Sequence, residues 1–185
     1  FEHNNDGLLF HGIDLMALAQ KYGTPLKITY LPVISSKIES CRRLFSQALN
    51  KHNYTGKYIY CYCTKSSHFK PILDEVLSNN VQLETSSAYD MAIVSRLLKS
   101  GKINRETLIV ANGFKRELYL KKLIASIESG MNCVPILDNR DELDYYKSHL
   151  KKPFNIGIRI ATEEEPNFSF YTSRLGVNPK GIPEF

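Results

Sequence analysis

The chain has 185 residues, 43% hydrophobic and 23% charged, the make-up expected of one soluble globular domain with a sizeable core. Its formal net charge of +5 is spread along the chain, and the densest basic pairs, Lys121-Lys122 and Lys151-Lys152, are too thin for a nucleic-acid-binding stripe. No apolar run is long enough to cross a bilayer, and no signal-peptide pattern opens the sequence.

In chain order, the first periodic segment is 8–22, with apolar residues at Leu8, Leu9, Ile13, Leu15, Met16, Leu18 and Ala19. That spacing predicts a helix closed by Gly23. Leu26–Leu31 alternates apolar residues with Lys27 and Thr29 and reads as a half-exposed strand. Ile38, Cys41, Leu44, Phe45 and Ala48 restore helical spacing from Ser35 onward.

A regular beat follows. Strand 58–63 precedes helix 69–78, strand 81–85 precedes helix 89–99, strand 108–111 precedes helix 116–129, and strand 133–137 precedes helix 140–150. A last strand, 155–161, leads into the acidic run Glu163-Glu-Glu-Pro166. Five β segments joined by four helices, with near-continuous apolar strands, predict a parallel sheet covered on both faces. The fold class is α/β. The repeat fits a partial (β/α)8 TIM-type barrel of about five βα units, with an open doubly wound sheet as the alternative. No glycine-rich phosphate loop follows any strand, so dinucleotide and P-loop chemistry are set aside.

Cys41, Cys61, Cys63 and Cys133 form no C-x-x-C pair and have no metal-ligand spacing with histidine. Cys61 and Cys63 lie two apart on a predicted strand and read as small core residues; reduced cysteines fit a cytoplasmic compartment. The sequence opens at Phe1 without methionine and stops at Phe185, so a segment of a longer protein is expected.

The predicted strands all finish on charged or hydrogen-bonding residues, which an α/β fold brings to one rim. Helix capping accounts for Ser86, Ser87, Asp138 and Asn139. It does not account for Lys65, Glu84 and Arg159, whose long charged side chains are rooted in or just past apolar strands. Buried charges need partners, and these three could supply one another. A desolvated lysine beside another cation has a lowered pKa and can condense with an aldehyde, pyridoxal phosphate being the common one. A structural ion-pair network would look the same in sequence.

Six stretches taken together resemble the fold-type III pyridoxal-phosphate decarboxylases that act on ornithine, diaminopimelate and arginine. They are Tyr22-Gly-Thr-Pro-Leu26, Tyr62-Cys-Thr-Lys65, Leu83-Glu-Thr-Ser-Ser87, Ala111-Asn-Gly-Phe-Lys115, Gly157-Ile-Arg-Ile-Ala-Thr162 and Ser173-Arg-Leu-Gly-Val177. They fall in the family's order and cover nearly the whole chain from Leu8. Among these enzymes the chain looks most similar to bacterial biosynthetic arginine decarboxylases.

The resemblance implies a β domain to which 1–33 contributes a helix and the strand Leu26–Leu31, and a truncated cofactor-binding barrel over 34–185. It places Lys65 on the Schiff-base lysine, Glu84 on an acid near it, Arg159 on the arginine that pairs with that acid, and Arg174 on a basic residue near the dimer interface. The family pattern around the lysine is Tyr-x-Val-Lys-Ala-Asn; here Thr64 precedes Lys65 and Ser66-Ser67 follow it. The implied cofactor is pyridoxal 5'-phosphate and the implied reaction is decarboxylation of a basic amino acid, arginine to agmatine in polyamine biosynthesis. The implied setting is a cytoplasmic homodimer that binds neither membrane nor nucleic acid, with a small amino acid as substrate.

Diaminopimelate or ornithine decarboxylation, alanine racemization, and a non-catalytic cofactor-binding relative are the competing readings. In the family the stacking histidine, the phosphate loop and the substrate-side residues come later in the chain. Purified 1–185 is therefore expected to show no turnover, and measurable carbon dioxide release from it would contradict that expectation.

Overall fold

The computed structural model describes residues 1–4, 7–161, 176–177 and 179–184. The chain divides into two compact units, Phe1–Leu31 and Pro32–Phe185. The acidic run 163–166, Arg174 and the Ser173–Leu175 part of the last motif lie outside the described residues.

The first unit departs from expectation. The helix predicted over 8–22 occupies only Leu15–Tyr22 (α1). Ahead of it runs a three-stranded antiparallel sheet of Glu2–Asn4 (β1), Gly7–Phe10 (β2) and Ile13–Asp14 (β3). His11 and Gly12 both have positive φ, 49° and 75°, the backbone of a two-residue hairpin turn whose twist suits antiparallel strands. That turn interrupts the helical spacing. The helix begins where Asp14 caps it, its Oδ1 accepting from the Met16 and Ala17 amides at 2.8 and 3.0 Å. The strand expected over Leu26–Leu31 is absent: the segment pairs with no strand among the described residues. Leu26 and Ile28 stay 37% and 44% exposed. Alternating apolar residues become a strand only with a ladder to join.

In the second unit the predicted order of strands and helices is observed, but the first and last strands are shorter than predicted, Cys61–Cys63 for 58–63 and Gly157–Ile158 for 155–161. Helix α2 (Pro32–Lys51) precedes β4 (Cys61–Cys63), α3 (Lys70–Leu77), β5 (Gln82–Thr85), α4 (Ala88–Lys99), β6 (Ile109–Ala111), α5 (Glu117–Glu128), β7 (Cys133–Leu137), α6 (Arg140–His149) and β8 (Gly157–Ile158). A 3-10 helix spans Pro179–Glu184. The five strands β4 to β8 are all parallel and ordered sequentially, with no crossover in strand order. Sequential order is that of a barrel arc, which decides against the doubly wound alternative.

The register shows which face is covered. Leu83, Ile109 and Cys133 are Cα partners in one row, and all three are buried in a cluster with Met91, Val94, Tyr119, Leu123 and Tyr146 from the helices. Burial pushes the Cys133 thiol up to about 12. Alternate residues on the same strands, Glu84, Val110, Val134 and Ile136, are only partly buried. The helices thus pack one face, where the apolar runs had predicted cover on both. The pleat sends every second residue to the other face. A second cluster of Ile38, Val76 and Val81 seats α2 against α3 and the edge strand β4.

One buried ion pair ties the two central connections together. The Lys115 side chain is 0% exposed; its Nζ lies 3.1 Å from Glu142 Oε2, donates to the Gly113 carbonyl at 2.9 Å, and also donates to the Ile136 carbonyl. Glu142 in turn accepts from the Lys115 amide at 3.2 Å and the Asp138 amide at 3.3 Å. Lys115→Met is expected to lower unfolding stability by about 3–5 kcal/mol, because it strands a buried carboxylate. Lys115→Met with Glu142→Leu is expected to cost less than Lys115→Met alone. Urea denaturation of the two variants checks the order, and a double variant less stable than the single would contradict it.

Candidate active site

Because β4 to β8 run parallel in sequential order, their carboxyl ends form one rim. Lys65 lies in the turn after β4, and four contacts fix that turn. The Thr64 amide and hydroxyl both donate to the Glu84 carbonyl, at 3.0 and 3.1 Å; the Ser66 amide donates to the Cys63 carbonyl at 3.1 Å; and the Tyr62 hydroxyl donates to the Ser67 carbonyl at 2.9 Å. Thr64 is fully buried. A threonine is accommodated where the resemblance expects valine because its hydroxyl finds a carbonyl. The Lys65 side chain itself is exposed, and its ammonium has no ion-pair or hydrogen-bond partner among the described residues.

Glu84 is on the neighbouring strand β5, opposite Cys63. Its Cα pairs with Cys63 on one side and Val110 on the other, so its side chain falls on the open face. Asn112, two residues beyond Val110, donates from Nδ2 to Glu84 Oε1 at 3.2 Å. Asn112 is held in turn: its amide donates to the Thr85 carbonyl at 2.8 Å, and its Oδ1 accepts from the Gly113 amide at 2.9 Å. Gly113 has φ 77°, and a Cβ there would lie 3.2 Å from the Ser86 carbonyl oxygen. The Cys61 thiol is raised by burial first and by the Glu84 charge second, which puts thiol and carboxylate within electrostatic reach.

Below the Ser86–Ser87 turn, Asp90 is buried and its Oδ2 accepts from the Ser86 amide at 2.9 Å and the Ser87 hydroxyl at 3.0 Å. These bonds fix the loop that leaves β5.

At the far end of the arc, Arg159 follows β8. Its amide donates to the Leu137 carbonyl at 3.0 Å, and its Nη1 lies 3.6 Å from Asp138 Oδ1. The Gly176-Val177 end of the last motif lies alongside: the Val177 amide donates to the Arg159 carbonyl at 2.7 Å.

The three charged residues singled out in sequence all reach the rim, but they do not pair with one another. Glu84 is bonded to Asn112, Arg159 faces Asp138, and Lys65 is exposed where a desolvated lysine was expected. For Glu84 and Arg159 the reason is topological. Strands β5 and β8 are three steps apart in the sheet, about 14 Å at roughly 4.8 Å per step, which is too far for direct contact along the arc. Capping holds for Ser87 and Asn139, which accept from the Asp90 and Glu142 amides at 3.2 and 3.0 Å. Asp138 is not a cap. Sequence reasoning missed Asp138 and Asn112 as partners, and Lys115 and Glu142 as their support. The available signal was the recurrence of long or branched polar residues directly after apolar strands.

No protein-family profile matches the chain. It is 26% identical over 126 residues to the biosynthetic arginine decarboxylase of Parasynechococcus marenigrum, covering 66% of this chain and 19% of that protein. The corresponding enzyme of Bacteroides thetaiotaomicron is 24% identical over 144 residues, covering 74% and 22%. The chain therefore spans about a fifth of the length of the curated relatives it matches. Among solved structures, the biosynthetic arginine decarboxylase of Campylobacter jejuni superposes with a TM-score of 0.64 at 22% identity, covering 83% of this chain and 25% of that one. The diaminopimelate decarboxylase of M. jannaschii in complex with L-lysine gives 0.66 at 23% identity, covering 97% and 37%. By sequence the chain is similar to biosynthetic arginine decarboxylases, and its fold, a sequential arc of parallel β/α units, superposes on part of the two decarboxylase structures.

Proposed function

We propose that this chain supplies the lysine corner of the active site of a pyridoxal-phosphate-dependent amino-acid decarboxylase, with arginine as substrate and agmatine as product. The observation that carries the reading is the contrast between two strand-end lysines. Lys115 is buried and committed to one carboxylate and two carbonyls. Lys65 is exposed on a tied-down turn, with no bonding partner among the described residues. An aldehyde cofactor needs an uncommitted primary amine held in place, and Lys65 meets that requirement.

The other rim residues fit the same group. Glu84 uses Oε1 for Asn112, and Oε2 has no hydrogen-bond partner among the described residues, which leaves an acceptor on the strand beside the Lys65 turn. Arg159, its side chain 41% exposed, offers cationic N–H groups for the anionic parts of cofactor or substrate. When bound, the cofactor supplies an electron sink for the electrons left behind by departing carbon dioxide. Asn112 and the Asp90-bonded turn keep the carboxylate oriented, and Thr64 keeps the lysine turn against β5.

Arginine is assigned as substrate from the names of the sequence relatives. A cytoplasmic homodimer in polyamine synthesis is the setting that goes with this reading. The chain covers only part of such an enzyme, so the proposal gives it the lysine attachment and its neighbours and leaves the rest of the site to other segments.

The test uses the complete polypeptide that carries this segment, assayed for carbon dioxide release from L-arginine, L-ornithine and diaminopimelate. Release from arginine is expected, with loss on the order of 10³-fold or more in Lys65→Ala, about 4 kcal/mol of barrier. Activity in Lys65→Ala within a few-fold of the parent would contradict the proposal, and preference for another of the three amino acids would correct the substrate.

A further inference from the structure

Asp138 closes β7 with a side chain 2% exposed, and among the described residues neither of its carboxylate oxygens accepts a hydrogen bond. Capping does not explain it, because Asn139 caps α6. A buried carboxylate with no hydrogen bond is costly unless a cation compensates it. Arg159 is beside it, Nη1 to Oδ1 at 3.6 Å, with the arginine side chain 41% exposed. One edge of the guanidinium therefore faces a buried charge while other N–H groups remain open to the rim.

The arginine backbone is fixed from the opposite side. The Val177 amide donates to the Arg159 carbonyl at 2.7 Å, and the Ala161 amide donates to the Val177 carbonyl at 2.9 Å. Gly176, at φ 104°, comes so close that a Cβ would stand 2.9 Å from the Arg159 carbonyl oxygen and 3.2 Å from Arg159 Cγ. With the main chain set this way, the remaining freedom is in the side chain, and Asp138 is the charge that selects its direction.

We propose that Asp138 is a positioning residue, holding the Arg159 guanidinium at the rim so that its free N–H groups bind an oxyanion of cofactor or substrate. The inference rests on the decarboxylase reading above. The oxyanion is a phosphate or a carboxylate, since both match the planar guanidinium fork. Asp138 acts only through Arg159, so the two must behave as one unit.

The complete polypeptide is titrated with pyridoxal phosphate and with pyridoxal by visible absorbance, and its KM and kcat for the amino acid are measured at saturating cofactor. Parent, Asp138→Asn, Arg159→Met and the double variant are compared. Each single variant is expected to weaken pyridoxal phosphate binding or raise KM by about tenfold or more, with kcat changed less. The double variant is expected to be no worse than the weaker single. A loss for pyridoxal phosphate that is absent for pyridoxal identifies a phosphate; a raised KM identifies the substrate carboxylate.

Asp138→Asn matching the parent in both arms overturns the proposal, as do losses that multiply in the double variant. Should Asp138→Asn fail to fold because its amide is unpaired, Asp138→Ala gives the same comparison without a buried polar atom. Failure of both to fold makes Asp138 a structural residue and also overturns it. No cofactor uptake by the parent removes the decarboxylase reading together with this proposal, whereas uptake and turnover with indifferent Asp138 variants removes this proposal alone.

Discussion

The buried Lys115–Glu142 pair is the constraint on which the centre of the rim depends. A fully buried ammonium must be compensated at every proton. Here Nζ is met by the Glu142 carboxylate and by the carbonyls of Gly113 and Ile136. Those partners belong to the β6–α5 connection, to β7 and to α6. Glu142 returns the bond by accepting the amides of Lys115 and Asp138. The pair therefore sets the backbone beside Asn112, which holds Glu84, and beside Asp138, which faces Arg159. Two rim charges on different strands are placed by one interaction that itself never reaches the rim.

The second organizing fact is that the helices cover only one face of the sheet. The pleat then separates roles by parity along each strand. On β5, Leu83 and Thr85 are fully buried on the helix side, whereas Gln82 and Glu84 are not. A catalytic group on such a strand can be changed without disturbing the helix-side packing, which is how this architecture separates stability from chemistry.

Much of the βα beat was legible because each strand is a short apolar run and each helix carries its own stop or cap. Gly101 and Gly130, at φ 69° and 84°, end the connections after α4 and α5 as glycine after a helix does. The first unit was not legible for a matching reason. Leu8, Leu9 and Ile13 satisfy helical spacing by accident, and the His11-Gly12 turn that breaks the helix uses a histidine in a conformation where glycine or asparagine is the usual signal. Leu26–Leu31 shows the converse failure, a strand pattern without a ladder. At the site, Lys65, Glu84 and Arg159 were found because a long charged side chain at the end of an apolar run is conspicuous. Their partners were not found because pairing depends on strand order and register, which no local pattern encodes. Asp138 looked like one more cap.

The central claim is that Lys65, not Lys115, is the lysine that takes the cofactor. Borohydride reduction of the complete polypeptide after incubation with pyridoxal phosphate, followed by peptide mapping by mass spectrometry, tests it most directly. A reduced pyridoxyl group on Lys65, with Lys115 unmodified in the folded protein, is the predicted result. No modification, or modification of Lys115 or another lysine in place of Lys65, would contradict it.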